Sequence, residues 1–233
     1  MIIQSLWIGN NLSRMEVSSI KSFLSLGYTY HLYSYSHINN VPKGVKILDG
    51  NEIIDRSEIF TYNLPDHLGG NSFSAFSNFF RYKLLYEKGG WWVDTDVYAL
   101  RHLPLNEYVL AKENENKISS CILKFPPKHK FSKICFEKCK EKNKDNLKWG
   151  ETGPLLVTEV AKQMKLETFK VQEFFPINYD EIEMFFKPIN IPSSYTIHFW
   201  NEMWRRKKIY KNKVYDKKTL YERLISTFET KLL

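Results

Sequence analysis

Asp94 and Asp96 stand one residue apart at the end of the apolar run Gly89-Gly90-Trp91-Trp92-Val93. In an extended chain residues i and i+2 point to the same side, so carboxylates at this spacing converge. Like charges held that close repel unless a cation or solvent screens them. An all-oxygen pair suits Mg²⁺ or Mn²⁺, hard ions that keep several waters and bind substrate phosphates. The leading chemical reading is a metal site for a diphosphate. Asp-x-Asp by itself is also common in solvated turns, and its context is what singles this one out.

That context is a helix followed at once by a strand. Asn78, Phe79, Phe80, Arg81, Tyr82, Leu84, Leu85 and Tyr86 lead into Glu87-Lys88-Gly89-Gly90, which reads as a helix stopped by glycine. Asn78 and Arg81 lie three apart, on one helix face. Arg81 offers a rigid fork of donors, either to sugar hydroxyls and phosphate or to Asp94 as an orienting ion pair. Trp92 precedes Asp94 by two and shares its side of the strand, where it packs either on a sugar or in the core.

Ahead of this unit, Met1 to Ile8 reads as a buried strand, and Ser13 as the N-cap of a helix through Leu26. Gly27 ends that helix, and Tyr28 to Tyr35 and Val45 to Asp49 follow as strands. A β-α-β-β start is how a nucleotide-binding α/β half begins, with its ligand at the carboxyl ends of the strands, where Trp7, Ile8 and Gly9 lie. No glycine-rich dinucleotide fingerprint or Walker loop is present, so phosphates must rely on metal and side chains. Further on, Tyr108 to Lys112, Ile118 to Phe125 and Tyr195 to Phe199 read as strands. Phe131 to Lys142, Leu155 to Met164 and Lys217 to Phe228 read as helices, with Lys144 to Gly153 a polar linker.

The stretch from Phe76 to Val97 resembles the DXD-containing sugar-binding region of retaining glycosyltransferases, in particular glycosyltransferase family 32 and, more distantly, the glucosylating clostridial toxins. Asn78, Arg81-Tyr82, Gly89-Gly90, Trp92 and Asp94-Thr95-Asp96 carry the likeness. Ile2 to Gly9 resembles the family's first strand, whose tryptophan (Trp7 here) stacks on the nucleotide base. His198 to Trp204 resembles a late loop that closes over the diphosphate, and Gly150 to Pro154 an acceptor-side Thr-Gly-Pro segment. Asn78 stands where the toxins have an aspartate on a sugar hydroxyl. Met203 stands where a small hydroxylated residue often precedes the last tryptophan.

The resemblance implies an α/β protein of GT-A type, with a Rossmann-like nucleotide-binding half and a mixed central sheet. It implies a metal-dependent retaining transferase that moves a hexose to a hydroxyl acceptor with an α-linked product, UDP-glucose being the expected donor. Asp94, Asp96 and Arg81 are the catalytic candidates. Mn²⁺ (or Mg²⁺) would bind Asp96 and Asp94, with His198 as third ligand and Asn201 and Glu202 as rivals; His198 reads equally as a core histidine. Trp7, Ile8, Asn78, Arg81, Trp92, Asp94 and Trp204 are the nucleotide-sugar candidates. Trp204 would offer its indole N–H to the leaving phosphate or simply pack the loop shut.

One domain is expected over residues 1–233, with 1–100 as the nucleotide-sugar and metal half and 101–233 as the acceptor side. The length suffices for one well-buried core. The net charge of +8 favours anionic partners. Its densest run, 205–218, is a solvated face or a peripheral contact with an anionic membrane. Nucleic acid is disfavoured, because no reading motif accompanies the charge. Cys121, Cys135 and Cys139 form no disulfide framework and read as buried thiols. No apolar run approaches bilayer length and no secretory leader is seen, so a cytoplasmic protein is expected. The alternative to a transferase is a basic α/β module that binds nucleic acid or an anionic surface without catalysis.

Overall fold

The computed structural model describes residues 1–229. Its centre is a six-stranded sheet in the order β3-β2-β1-β4-β7-β6. The strands are β1 (Ile2–Trp7), β2 (Thr29–Ser34), β3 (Val45–Asp49), β4 (Gly90–Val93), β6 (Val109–Asn114) and β7 (Lys117–Phe125). The first four run parallel, and β7 pairs antiparallel with both β4 and β6. A separate two-stranded ribbon joins β5 (Val97–Ala99) to β8 (Thr196–His198). The mixed sheet and the parallel nucleotide-type start agree with the sequence reading.

Both faces of the sheet are covered, as a parallel sheet requires. Because successive strand residues face opposite ways, Trp91 enters the cluster with Ile3, Leu32 and Phe23, whereas Trp92 enters the one with Leu6, Tyr33 and Phe80. Helix α1 (Arg14–Ser25) starts as read: Ser13 caps it, and Glu16 closes a capping box onto the Ser13 N–H at 2.7 Å. α2 (Ser74–Lys88), α3 (Lys130–Lys140) and α4 (Pro154–Gln163) cover the Trp92 face. Short α5 (Val171–Phe174) and α7 (Leu220–Ser226) pack on the other. The last helix is shorter than the Lys217 to Phe228 read from sequence, because Thr219 caps it through the Glu222 N–H. The three cysteines are buried free thiols. Among the described residues no helix is long and apolar enough to cross a membrane.

Parallel pairing puts the ends of β1 and β4 at one edge of the sheet, so Trp7 and the Asp94–Asp96 segment meet there. The hairpin of β6 and β7 brings its tip to the same edge, and the Asp94 N–H donates to the Cys121 carbonyl at 2.7 Å. The turn between α2 and β4 makes this register possible. Gly89 has φ +65° and ψ −166°, a conformation reserved almost wholly for glycine. A Cβ there would lie 2.4 Å from the Pro127 nitrogen. Gly89→Ala is expected to cost about 3 kcal/mol of stability, from strain and clash together. Gly150→Ala, at φ +76° with only an ordinary contact to Pro154 Cδ at 4.0 Å, should cost about 1–2 kcal/mol, the left-handed penalty alone. Urea unfolding of the two variants measures the difference.

Candidate functional site

A cleft of about 620 Å³ opens at that sheet edge, within the size range of small-molecule sites. It is lined by Trp7 and Ile8 from β1, Asn78 and Arg81 from α2, Asp94 and Asp96, and His198. Seven residues singled out from three distant parts of the sequence therefore share one cavity.

Arg81 is the most constrained of them. Its side chain is almost fully buried and its guanidinium lies 3.1 Å from Asp94 Oδ1. The rest of the fork donates to the Ser77 carbonyl and hydroxyl on its own helix and to the Ser120 carbonyl on β7. Of the two roles open from sequence, these contacts are those of the orienting ion pair. Trp92 completes the clamp: its indole N–H donates to the same Asp94 oxygen at 2.7 Å, and its ring lies under the guanidinium at 4.9 Å. The shared strand side predicted for Trp92 and Asp94 is what makes that bond. Trp92 is only 1% exposed and does not line the cleft, so it touches Asp94 rather than a ligand.

Asp96 is held from the other half of the chain. The β5–β8 ribbon pairs Val97 with His198, and His198 Nε2 lies 3.1 Å from Asp96 Oδ2. The Asn201 N–H donates to that same oxygen at 2.8 Å. Burial pushes the Asp94 carboxyl above its usual range, and the charge of Asp96 adds to this against the pull of Arg81. Burial works the same way on Asp96, but His198 and the Asn201 N–H outweigh it and hold this carboxyl below the usual range. The two carboxylates are thus tuned apart, with Asp96 the more firmly ionised.

These residues fit a divalent cation that takes its other ligands from substrate and water. Asp94 Oδ2 and Asp96 Oδ1 accept no hydrogen bond among the described residues. His198 is buried, with the Cys121 thiol as well as Asp96 against its ring. Among the described residues no three His, Cys, Asp or Glu side chains are gathered into a ready-made metal group. Two carboxylates with open positions match the incomplete protein shell that a diphosphate-bound cation needs.

Other predicted residues fall as follows. Asn78 is buried, lines the cleft and donates to the Thr152 hydroxyl at 3.2 Å. Trp7 lines the cleft half-buried, its indole N–H unpartnered, with Lys211 5.7 Å from its ring centre. Trp204 does not reach the cleft: it is fully buried against Phe185, Phe186 and Tyr221. The late loop around it is a short helix, α6 (Asn201–Arg206). On that helix Arg205 is exposed and Arg206 half-buried. Both pair with Glu202 and donate to the Gly70 and Leu68 carbonyls, and Arg206 lies over Trp149 at 4.1 Å. Helix α6 is thereby strapped to the 68–70 turn at the mouth of the cleft. Lys207 and Lys208 stay exposed, outside the cavity lining.

Sequence reading missed Glu113, Ser119, Trp149, Tyr179 and Trp200, all of which line the cleft. Glu113 sits in Lys112-Glu113-Asn114-Glu115-Asn116, which reads as an exposed polar turn. Only the pairing of the β6–β7 hairpin turns this glutamate inward. Trp92→Phe keeps the ring under Arg81 but deletes the N–H on Asp94. It should lower affinity for Mn²⁺ with UDP by about tenfold or more, the usual cost of an orienting partner, while melting shifts little. Titration calorimetry on both proteins checks this.

The chain was compared with known proteins. The family described as "Glycosyltransferase sugar-binding region containing DXD motif" matches residues 13–117. The family described as "Alpha 1,4-glycosyltransferase conserved region" matches residues 124–228. Human alpha-1,4-N-acetylglucosaminyltransferase is 30% identical over 197 residues, covering 75% of this chain and 57% of that protein. Human lactosylceramide 4-alpha-galactosyltransferase is 25% identical over 142 residues, covering 52% of this chain and 40% of that protein. The chain thus spans about half the length of these curated relatives. Among solved structures, the PaToxG glycosyltransferase superposes with a TM-score of 0.51 at 16% identity, over 70% of this chain and 69% of that one. That likeness speaks for the fold alone. With the Asp94–Asp96 pair inside the first matched region and the second running on almost to the end of the described residues, the chain belongs to the DXD-containing glycosyltransferases of GT-A fold.

Proposed function

We propose that this protein is a metal-dependent retaining hexosyltransferase that uses a UDP-hexose and forms an α-linkage, in the manner its relatives' names describe for 1,4-transfer. The observation that carries the reading is the pair Asp94 and Asp96, each fixed through one oxygen and open at the other, at the carboxyl ends of β1 and β4. Residues 1–100 would supply the nucleotide and metal side, and 101–233 the acceptor side. The alternative of a non-catalytic basic module is less well supported, because Arg205, Arg206 and Lys211 are engaged in ion pairs.

In this reading Asp94 and Asp96 hold Mn²⁺ (or Mg²⁺), with His198 beside Asp96 as the candidate third ligand. The cation, once bound, neutralises charge that develops on the departing diphosphate. Trp7 offers its ring to the base, next to Ile8. Asn78, fixed by Thr152, faces the sugar hydroxyls, and Arg81 favours the ionised form of Asp94 and holds it in place. Retention follows if the acceptor oxygen bonds to the anomeric carbon on the face from which the phosphate oxygen leaves, with the acceptor proton passing to that oxygen. Trp204 would act only by packing α6 against the core.

Glucose is the sugar that the toxin-like resemblance favours, whereas the relatives are named for N-acetylglucosamine and galactose transfer. UDP release from UDP-glucose, UDP-galactose and UDP-N-acetylglucosamine with Mn²⁺ ranks the three. One of them should turn over, and Asp96→Asn should cut its kcat about a hundredfold to a thousandfold without lowering the melting temperature. Proton NMR of the product should show an axial linkage. No UDP release from any donor, or full activity of Asp96→Asn, would reject the proposal.

A further inference from the structure

Among the described residues three glutamates are buried: Glu16, Glu113 and Glu222. Two of them are compensated. Glu16 pairs with Lys211 at 2.6 Å and takes the Ser13 N–H, and Glu222 pairs with Arg14 at 2.6 Å and takes the Tyr215 N–H. Glu113 is 7% exposed, yet no cation comes within ion-pair distance of it among the described residues. The Ser119 hydroxyl and the more distant charges of His198 and Lys117 act on it, and burial still pushes its carboxyl above the usual range. A buried carboxylate left without a counter-charge is costly, so a fold that keeps one invites a reason outside the fold.

Its position supplies the reason. Glu113 lines the same cleft as Asp94 and Asp96. Lys112 pairs with Ile118 on β7, whereas the backbone of Asp94 meets β7 at Cys121. Three strand residues separate these levels, about 10 Å at the usual rise. Glu113 therefore faces the cleft some way along from the metal-binding carboxylates, on the hairpin contributed by the second half of the chain. A carboxylate lining a cleft is a strong acceptor for sugar hydroxyls.

We infer that Glu113 is a ligand-binding residue that holds a hydroxyl of a hexose in this cleft, either on the sugar being transferred or on the acceptor. The inference rests on the transferase reading, and it assigns Glu113 to positioning and specificity. It also explains why the carboxylate is unpaired: its partner arrives with the substrate.

Glu113→Gln and Glu113→Leu test it. The assay is UDP release from the UDP-hexose that the unmodified protein turns over, with water alone and with lactose as acceptor, alongside the melting temperature without ligand. Loss of a charge-assisted hydrogen bond should raise a KM about tenfold to a hundredfold, more in the leucine variant than in the glutamine. A rise in the KM for the nucleotide sugar with water as acceptor places the hydroxyl on the donor; a rise confined to lactose places it on the acceptor. UDP affinity with Mn²⁺ should stay within twofold, and the melting temperature should hold or rise, because an unpaired buried charge has been removed. KM values within twofold of the unmodified protein, or a melting temperature that falls with no change in KM, would overturn the assignment. So would a thousandfold fall in kcat at constant KM, which marks a group acting only in the transition state. If the unmodified protein neither binds UDP with Mn²⁺ nor releases it from any UDP-hexose, the transferase reading itself has failed.

Discussion

The buried guanidinium of Arg81 is the interaction on which the site depends. A cation inside the fold is tolerable only when most of its N–H groups find acceptors. Here the acceptors come from α2, from the β7 backbone and from Asp94. Satisfying this one side chain therefore locks the helix, the central sheet and the first carboxylate into a single arrangement. The Trp92 indole sits against the guanidinium and gives its N–H to the same carboxylate oxygen. Asp94 is left with one committed oxygen and one open one.

Asp96 is governed by contacts made over a hundred residues away. His198 and Asn201 approach it only because β8 pairs with β5 immediately after the carboxylates. The chain then turns into α6, whose arginines strap the segment to the 68–70 turn. The site is thus assembled from the ends of β1 and β4 and from a segment that follows β8.

Much of this was legible in the sequence where the signal is local. The Ser13 cap, the helix ended by Gly89, the strand that follows and the two carboxylates are all set by near neighbours. Local spacing also predicted that Trp92 and Asp94 share a side. Contacts set by long-range pairing were not legible. Of the two roles open to Trp204, phosphate contact or packing, only the fold selects packing, because α6 turns its apolar side onto Phe185 and Tyr221. Within the basic run, the bonds of Arg205 and Arg206 to Glu202 and the 68–70 turn depend on the fold. Glu113 reads as turn polarity, and only the hairpin pairing turns it into the cleft.

In the proposed transferase Asp94 and Asp96 bind a cation as part of a metal–diphosphate unit and not as a free-standing metal centre. Electron paramagnetic resonance of Mn²⁺ reads this directly, since the sharp signal of the hydrated ion disappears on binding. The account predicts little loss of that signal when protein is added alone. It predicts stoichiometric loss once UDP is present, abolished by Asp96→Asn. Tight uptake of Mn²⁺ without nucleotide, or none with it, would contradict the account.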